Sequence, residues 1–351
     1  MRIKCKLCEV EARIVKHDMQ GYKEGDYYTI VNCPSCESAF PSDQVIDSDI
    51  YNYIYKNVDK IPGYNRYHTY YKNIINHSNP LRYLASSEAS YWAIDDILSK
   101  DIRKRTDIKI LEIGCGLGYL TYSLNVLGYD ATGLDISQDA IEKAISNFGN
   151  TYIKANILDS SSFMNNEYDY IIMTELIEHV EDPMKMIEAA CQYLKTDGKL
   201  LITTPNKDLY PSNIIWQTEL PPIHLWWFSE KFFTILSGKL NKKISFLDFT
   251  RWNKTWLDNA RRSRSINEIR KPILDKNNEY ATNSFSSKNE KFSLHFVLSK
   301  LGLVPVARKL AILYYQLLSK DIHRHNVMCI IVENNAGVTF KFMLNSVGGF
   351  R

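Results

Sequence analysis

The sequence predicts a doubly wound α/β fold, built on a mainly parallel, seven-stranded sheet. Three observations carry this prediction. From Ile108 onward short apolar runs alternate with amphipathic stretches, the pattern of strands joined by crossover helices. The first of those runs ends in Glu112 and then places glycines at 114, 116 and 118 before a helical pattern begins. A strand, a glycine turn and a helix in that order open a ligand site at the carboxyl edge of a parallel sheet. Finally, 45% hydrophobic residues in a chain of 351 are enough for one large core with appendages.

The elements follow in order. Strands are expected at Lys109–Ile113, Asp130–Leu134, Thr151–Lys154, Tyr168–Met173, Lys199–Thr203, Ile244–Phe249 and Val327–Val332. Helices are expected at Ser86–Leu98, Gly118–Leu127, Gln138–Ser146, Pro183–Leu194 and Glu230–Leu240. The spacing G-x-G-x-G differs from the G-x-G-x-x-G of dinucleotide folds. Residues 86–250 form the core on this reading, and 326–351 the last strand and a tail.

In front of the core stand Cys5-Lys6-Leu7-Cys8 and Cys33-Pro34-Ser35-Cys36. Each C-x-x-C hook presents two thiolates from one tight turn, and two hooks complete a tetrahedral zinc site. Residues 1–41 therefore read as a zinc ribbon with strands near Ala12–Val15 and Tyr27–Asn32. With all four positions filled by Cys5, Cys8, Cys33 and Cys36, the metal is structural. Cys115, Cys191 and Cys329 lie in apolar surroundings and read as small hydrophobes. Residues 42–85 are rich in tyrosine (Tyr51, Tyr53, Tyr55, Tyr64, Tyr67, Tyr70, Tyr71, Tyr83), which suits a half-buried helical linker or lid.

Net charge is +3, so the whole chain is not marked for nucleic acid. Residues 251–325 differ, with 15 basic and 6 acidic residues, and read as a helical insertion between the last two strands. Arg261-Arg262-Ser263-Arg264 and Arg270-Lys271 within it suit an anionic acceptor, and residues 295–318 suit an amphipathic helix against a membrane surface. The plainer alternatives are a solvated face and a helix covering the sheet. No signal-peptide pattern and no spanning apolar run is evident, so a cytoplasmic location is expected.

Four motifs in order, over about residues 82–249, resemble a class I S-adenosylmethionine-dependent methyltransferase: Glu112-Ile113-Gly114-Cys115-Gly116-Leu117-Gly118; Gly133-Leu134-Asp135-Ile136-Ser137; Tyr168-Asp169-Tyr170 running to Glu178-His179-Val180-Glu181-Asp182-Pro183; and Leu194 to Asn206. The resemblance implies S-adenosylmethionine as methyl donor, which carries a cationic sulfonium, an amino-acid end, a ribose diol and an adenine. Small Gly114, Gly116 and Gly118 would admit the methionyl part and ribose. Glu112 can accept from the ammonium and Asp135 from both ribose hydroxyls, with Ser137 as the competing helix cap. Ile136 would pack on the adenine, Asn156 would read its amino edge where the family often has Asp, and Ile157 would add an apolar contact. Thr174 and Glu175 should line the methionyl side.

The expected chemistry is in-line transfer of the methyl group to an oxygen or carbon nucleophile of a small-molecule, sugar or glycan-type acceptor. A hydroxyl acceptor needs a base. His224, in Pro221-Pro222-Ile223-His224-Leu225-Trp226-Trp227-Phe228-Ser229, is the first candidate; His179 and His68 are the next. Trp226, Trp227 and Phe228 would wall off water, or else serve as core. The alternative is an RNA or protein methyltransferase gripping a macromolecule with the ribbon and basic insertion. Against it, the ribbon is mixed in charge, and Thr174-Glu175-Leu176-Ile177 stands where amino-methylating enzymes have Asn-Pro-Pro-aromatic.

Overall fold

The computed structural model describes residues 3–61, 64–159, 167–209, 220–255, 272–277, 279 and 322–335. Most of the basic stretch 251–325, including both Arg clusters, and the expected surface helix at 295–318 lie outside them.

At the N-terminus β1 (Arg13–Gln20), β2 (Tyr27–Asn32) and β3 (Ala39–Pro41) make an antiparallel sheet in that order. The two cysteine hooks share one turn geometry. Glu9 N donates to Cys5 O at 2.8 Å and Glu37 N to Cys33 O at 2.9 Å, each glutamate having positive φ. The third strand, only three residues long, has no period to betray it.

The tyrosine-rich segment folds into α1 (Ser48–Lys56), α2 (Asn65–Asn73), a 3-10 turn at Ile74–Asn76 and α3 (Pro80–Ser87), followed by α4 (Ala89–Leu98). Asp47 caps α1, accepting from Asp49 N and Ile50 N, and Asn79 caps α3 with Pro80 at its first position. The helix expected over Ser86–Leu98 is thus two helices. Ser86 and Ser87 hydroxyls bond back to Tyr83 O, and Glu88 is extended, its carboxylate taken by Tyr70 Oη (2.8 Å) and Arg66 Nε (2.8 Å).

The main sheet contains β4 (Lys109–Ile113), β5 (Asp130–Asp135), β6 (Tyr152–Lys154), β7 (Tyr168–Thr174), β8 (Leu194–Pro205), β9 (Lys242–Phe246) and β10 (Val327–Asn334). Its spatial order is β6-β5-β4-β7-β8-β10-β9. Strands β6 to β8 pair in parallel, and β10 runs antiparallel to both neighbours. Between strands come α5 (Tyr119–Val126), α6 (Gln138–Phe148), α7 (Pro183–Tyr193) and α8 (Glu230–Leu240), and α9 (Thr250–Thr255) follows β9.

Side-chain alternation splits the core into two layers. Leu111, Ile113, Ile171, Met173, Leu200 and Ile202 pack with α7, α8 and the cysteine module. Ile110, Tyr170, Ile172, Leu201 and Cys329 pack with α3, α4 and α5. Asp169, in the third sequence motif, begins β7 at the edge opposite the glycine turn. It binds Arg103 Nη1 (2.6 Å) and Lys195 Nζ (2.7 Å), a structural cross-tie. Among the described residues no helix is long and apolar enough to cross a membrane.

Candidate cofactor and acceptor site

The carboxyl ends of β4, β5 and β7 open into one cavity of about 710 Å³, roofed by the tyrosine helices. Its size suits an organic ligand rather than water alone.

The glycines of the turn divide their work. Gly116 has φ +50 and faces the cavity, where an added Cβ would meet, among the described residues, only the end of the Tyr55 side chain, its Oη at 3.6 Å. Gly118 (φ +79) does not line the cavity: a Cβ there would lie 2.6 Å from Tyr152 and 2.7 Å from Ala144. It is required for packing α5 against α6 and β6, which corrects the expectation of ligand contact. Gly114 lines the cavity, yet its missing Cβ makes room chiefly for Leu176, 2.9 Å away.

Two buried carboxylates flank this turn. Asp135 ends β5; its Oδ2 accepts from Gly116 N and its Oδ1 from Ser137 N, both at 2.8 Å. Ser137, not Asp135, caps α6, accepting from Ala140 N at 3.3 Å. Burial raises the Asp135 carboxyl, opposed by those backbone donors. Glu112 is 2% exposed and accepts from Thr121 Oγ1 at 2.5 Å; burial pushes its carboxyl up to about 7. Ile136 lines the cavity while 66% exposed, an apolar side chain with an open face. Asn156, Ile157, Thr174 and Glu175 line it as well. Asn156 is partly committed, since its Oδ1 accepts from Leu158 N and its Nδ2 donates to Asp159. Glu175 has φ +50, and burial raises its carboxyl to about 7.

Glu178, His179 and His224 meet in the same cavity wall. The 3-10 turn Ile177–His179 carries the first two, and the proline loop brings the third. The imidazoles stand edge to face at 4.5 Å. Burial depresses both pKa values, His179 to about 4, so both rings are neutral at pH 7. His68 packs on Tyr71 and does not reach the cavity. Nor do the loop aromatics: Trp226 and Phe228 stack at 5.5 Å inside the core beside Phe40, and Trp227 is buried with Ile30 and Ile50. The wall they were expected to supply is made by Tyr51, Tyr55, Tyr64, Tyr67 and Tyr91, together with Arg66. Tyrosine density was the signal for that wall; nothing in the sequence marked Arg66.

The ligand atoms of Cys5, Cys8, Cys33 and Cys36 lie within 4.8 Å of one another, and Cys5 Sγ is 3.7 Å from Cys36 Sγ. Thiolates ~2.3 Å from a tetrahedral zinc stand ~3.8 Å apart, so the cluster fits the metal. This module grips the histidine loop. Ala39 and Trp227 exchange backbone hydrogen bonds of 3.0 and 2.9 Å, Ser229 N donates to Ser38 Oγ at 3.0 Å, and Ser229 Oγ donates to Cys36 O.

Residues 91–261 match the family described as a methyltransferase domain. The core of this chain is a methyltransferase domain. The methyltransferase domain has curated relatives named ubiquinone biosynthesis O-methyltransferase, among them those of Vibrio atlanticus (33% identical over 105 residues; 28% of this chain, 44% of the relative) and Shewanella sp. (30% over 106 residues; 29% and 45%). The chain thus spans under half the length of these relatives. A solved structure described as an S-adenosylmethionine-dependent methyltransferase from Archaeoglobus fulgidus aligns over 69% of this chain and 93% of its own, at 14% identity and a TM-score of 0.41.

Proposed function

We propose that the chain methylates an oxygen or carbon nucleophile of a small-molecule, sugar or glycan-type acceptor, using S-adenosylmethionine. One observation carries this reading. Among the described residues the cavity wall holds six carboxyl groups, Glu112, Asp135, Glu175, Glu178, Glu181 and Asp182, against two cationic side chains, Arg66 and Lys185. Such a wall suits a cationic, phosphate-free donor better than the pyrophosphate of a dinucleotide. When bound, the donor supplies a methyl carbon made electrophilic by positive sulfur.

The chain's residues then have these roles. Asp135 keeps lone pairs for two hydroxyls after accepting from Gly116 and Ser137. Glu112 takes the ammonium, and Thr174 and Glu175 flank the methionyl part. Ile136 and Ile157 pack on the base; Asn156 offers it one remaining N–H and one lone pair. His224 and His179, neutral and buried, handle the acceptor's proton. The names of the curated relatives support an oxygen acceptor. Zinc on Cys5, Cys8, Cys33 and Cys36 has no open position and serves the fold. Calorimetry with S-adenosylhomocysteine tests the reading: binding should vanish in Asp135→Ala and persist in His224→Ala. No binding to the unaltered protein would overturn it.

A further inference from the structure

We propose that Glu178, His179 and His224 form a second metal site, for a divalent first-row cation, in the wall of the cavity. One ligand atom from each of the three lies within 4.8 Å of the others. Glu178 is 1% exposed. Its Oε2 accepts from Thr204 Oγ1 at 2.9 Å, while its Oε1 has no hydrogen-bond partner among the described residues. A buried carboxylate oxygen left in this state is costly unless a cation or proton completes it. His179 Nδ1 is held by Ile223 O at 2.7 Å, which leaves Nε2 on the Glu178 side, 3.9 Å from Oε1. A carbonyl on the far ring nitrogen is the usual way a ligating histidine is oriented. Three residues upstream, Glu175 Oε1 is also buried in the same cavity with no hydrogen-bond partner among the described residues.

Ligand atoms around one such ion stand ~3–3.5 Å apart, so the 3.9 Å pair of His179 Nε2 and Glu178 Oε1 closes by about half an ångström to an ångström, and no pair of the three by more than about 2 Å. Two imidazole nitrogens and a carboxylate oxygen suit Zn²⁺, Mn²⁺ or Fe²⁺ better than Ca²⁺, which takes oxygen ligands only. Three protein ligands leave an open position toward the cavity, where a hydroxyl of the acceptor can bind and lose its proton to water more readily. With the cation bound, His179 and His224 serve as its ligands, and the metal and water take over the proton handling assigned to the two imidazoles in the metal-free protein. This last step rests on the proposed methyl transfer; the cation site does not.

The test uses the full chain with its ribbon zinc in place, titrated with Mn²⁺ and followed by electron paramagnetic resonance, with metal analysis after Zn²⁺ loading in parallel. One saturable Mn²⁺, or a second Zn²⁺, is expected per chain. Glu178→Gln and, should it fail to fold, His224→Gln should weaken Mn²⁺ at least tenfold while S-adenosylhomocysteine still binds. Asp135→Ala should lose S-adenosylhomocysteine and keep Mn²⁺. Absence of both a saturable Mn²⁺ and a second Zn²⁺, or equal Mn²⁺ affinity in a folded variant, overturns the inference. Loss of S-adenosylhomocysteine binding in the unaltered chain with Mn²⁺ retained would overturn the methyl-transfer reading alone.

Discussion

Glu112 gives the sharpest prediction, because its environment and its proposed task pull in opposite directions. It lies in the middle of the sheet, between Gly133 of β5 and Ile172 of β7, with one short hydrogen bond from Thr121. Burial holds its carboxyl near pH 7, well above the ordinary ~4.3 for Glu. A donor ammonium needs the ionised form. About a tenth of Glu112 is ionised at pH 6 and about three quarters at pH 7.5, so affinity for S-adenosylhomocysteine should rise about eightfold between them, with about 0.9 proton released on binding at pH 6 and about a quarter of a proton at pH 7.5. Glu112→Gln should bind more weakly at pH 7.5 and show no such slope. Stability runs the other way. A carboxyl whose folded pKa is raised binds more protons in the folded state, so the ligand-free protein should lose stability as pH rises from about 4.5 to 7. Asp135 is raised as well, and the Glu112→Gln variant isolates its share. Calorimetry in buffers of different ionisation heat reads both affinity and proton release. An unchanged slope in Glu112→Gln, or a flat profile in the unaltered protein, would refute the assignment.

Asp135→Asn should weaken S-adenosylhomocysteine by ~30- to 1,000-fold in calorimetry, about 2–4 kcal/mol, because the amide cannot accept from Gly116, Ser137 and a diol together. Gly118→Ala should destabilise the fold by ~2–4 kcal/mol in a denaturant titration, through left-handed backbone strain and collision with Tyr152 and Ala144; an unshifted midpoint would contradict the packing role. Metal analysis should find zinc on the ribbon, and Cys36→Ser should remove it. The same variant should red-shift tryptophan fluorescence, since Trp226 packs on Phe40 at 5.0 Å and Trp227 is tied to Ala39.

Strands β4, β5 and β7 and helices α5 to α8 were legible because period and punctuation agree there. Lys109–Ile113 ends in Glu112, Ile113 and a glycine, and Glu230–Leu240 begins behind a serine that caps it. The paired C-x-x-C hooks were legible because four thiolates at that spacing have few other uses. What escaped depends on partners distant in sequence. The break at Glu88 is made by Arg66 and Tyr70; the inward turn of Trp226 and Trp227 is set by the cysteine module. Gly118 fits a ligand turn and a packing turn equally well until Tyr152 is placed beside it. The meeting of Glu178 with His224 spans 46 positions, and no local pattern announces it.

The position of β10 bears on how this protein can be divided. Among the described residues, strand β9 reaches the rest of the sheet only through β10, which is paired to β8 by Val327 to Glu333 and to β9 by Ile330 to Asn334. An excised fragment of residues 91–261 would therefore leave β8 with a bare edge, strand β9 with nothing to pair to, and the histidine loop cut from its cysteine anchor. The stretch that carries the family pattern is shorter than the piece that can stand alone, so catalysis should be sought in the long chain and not in its recognisable middle.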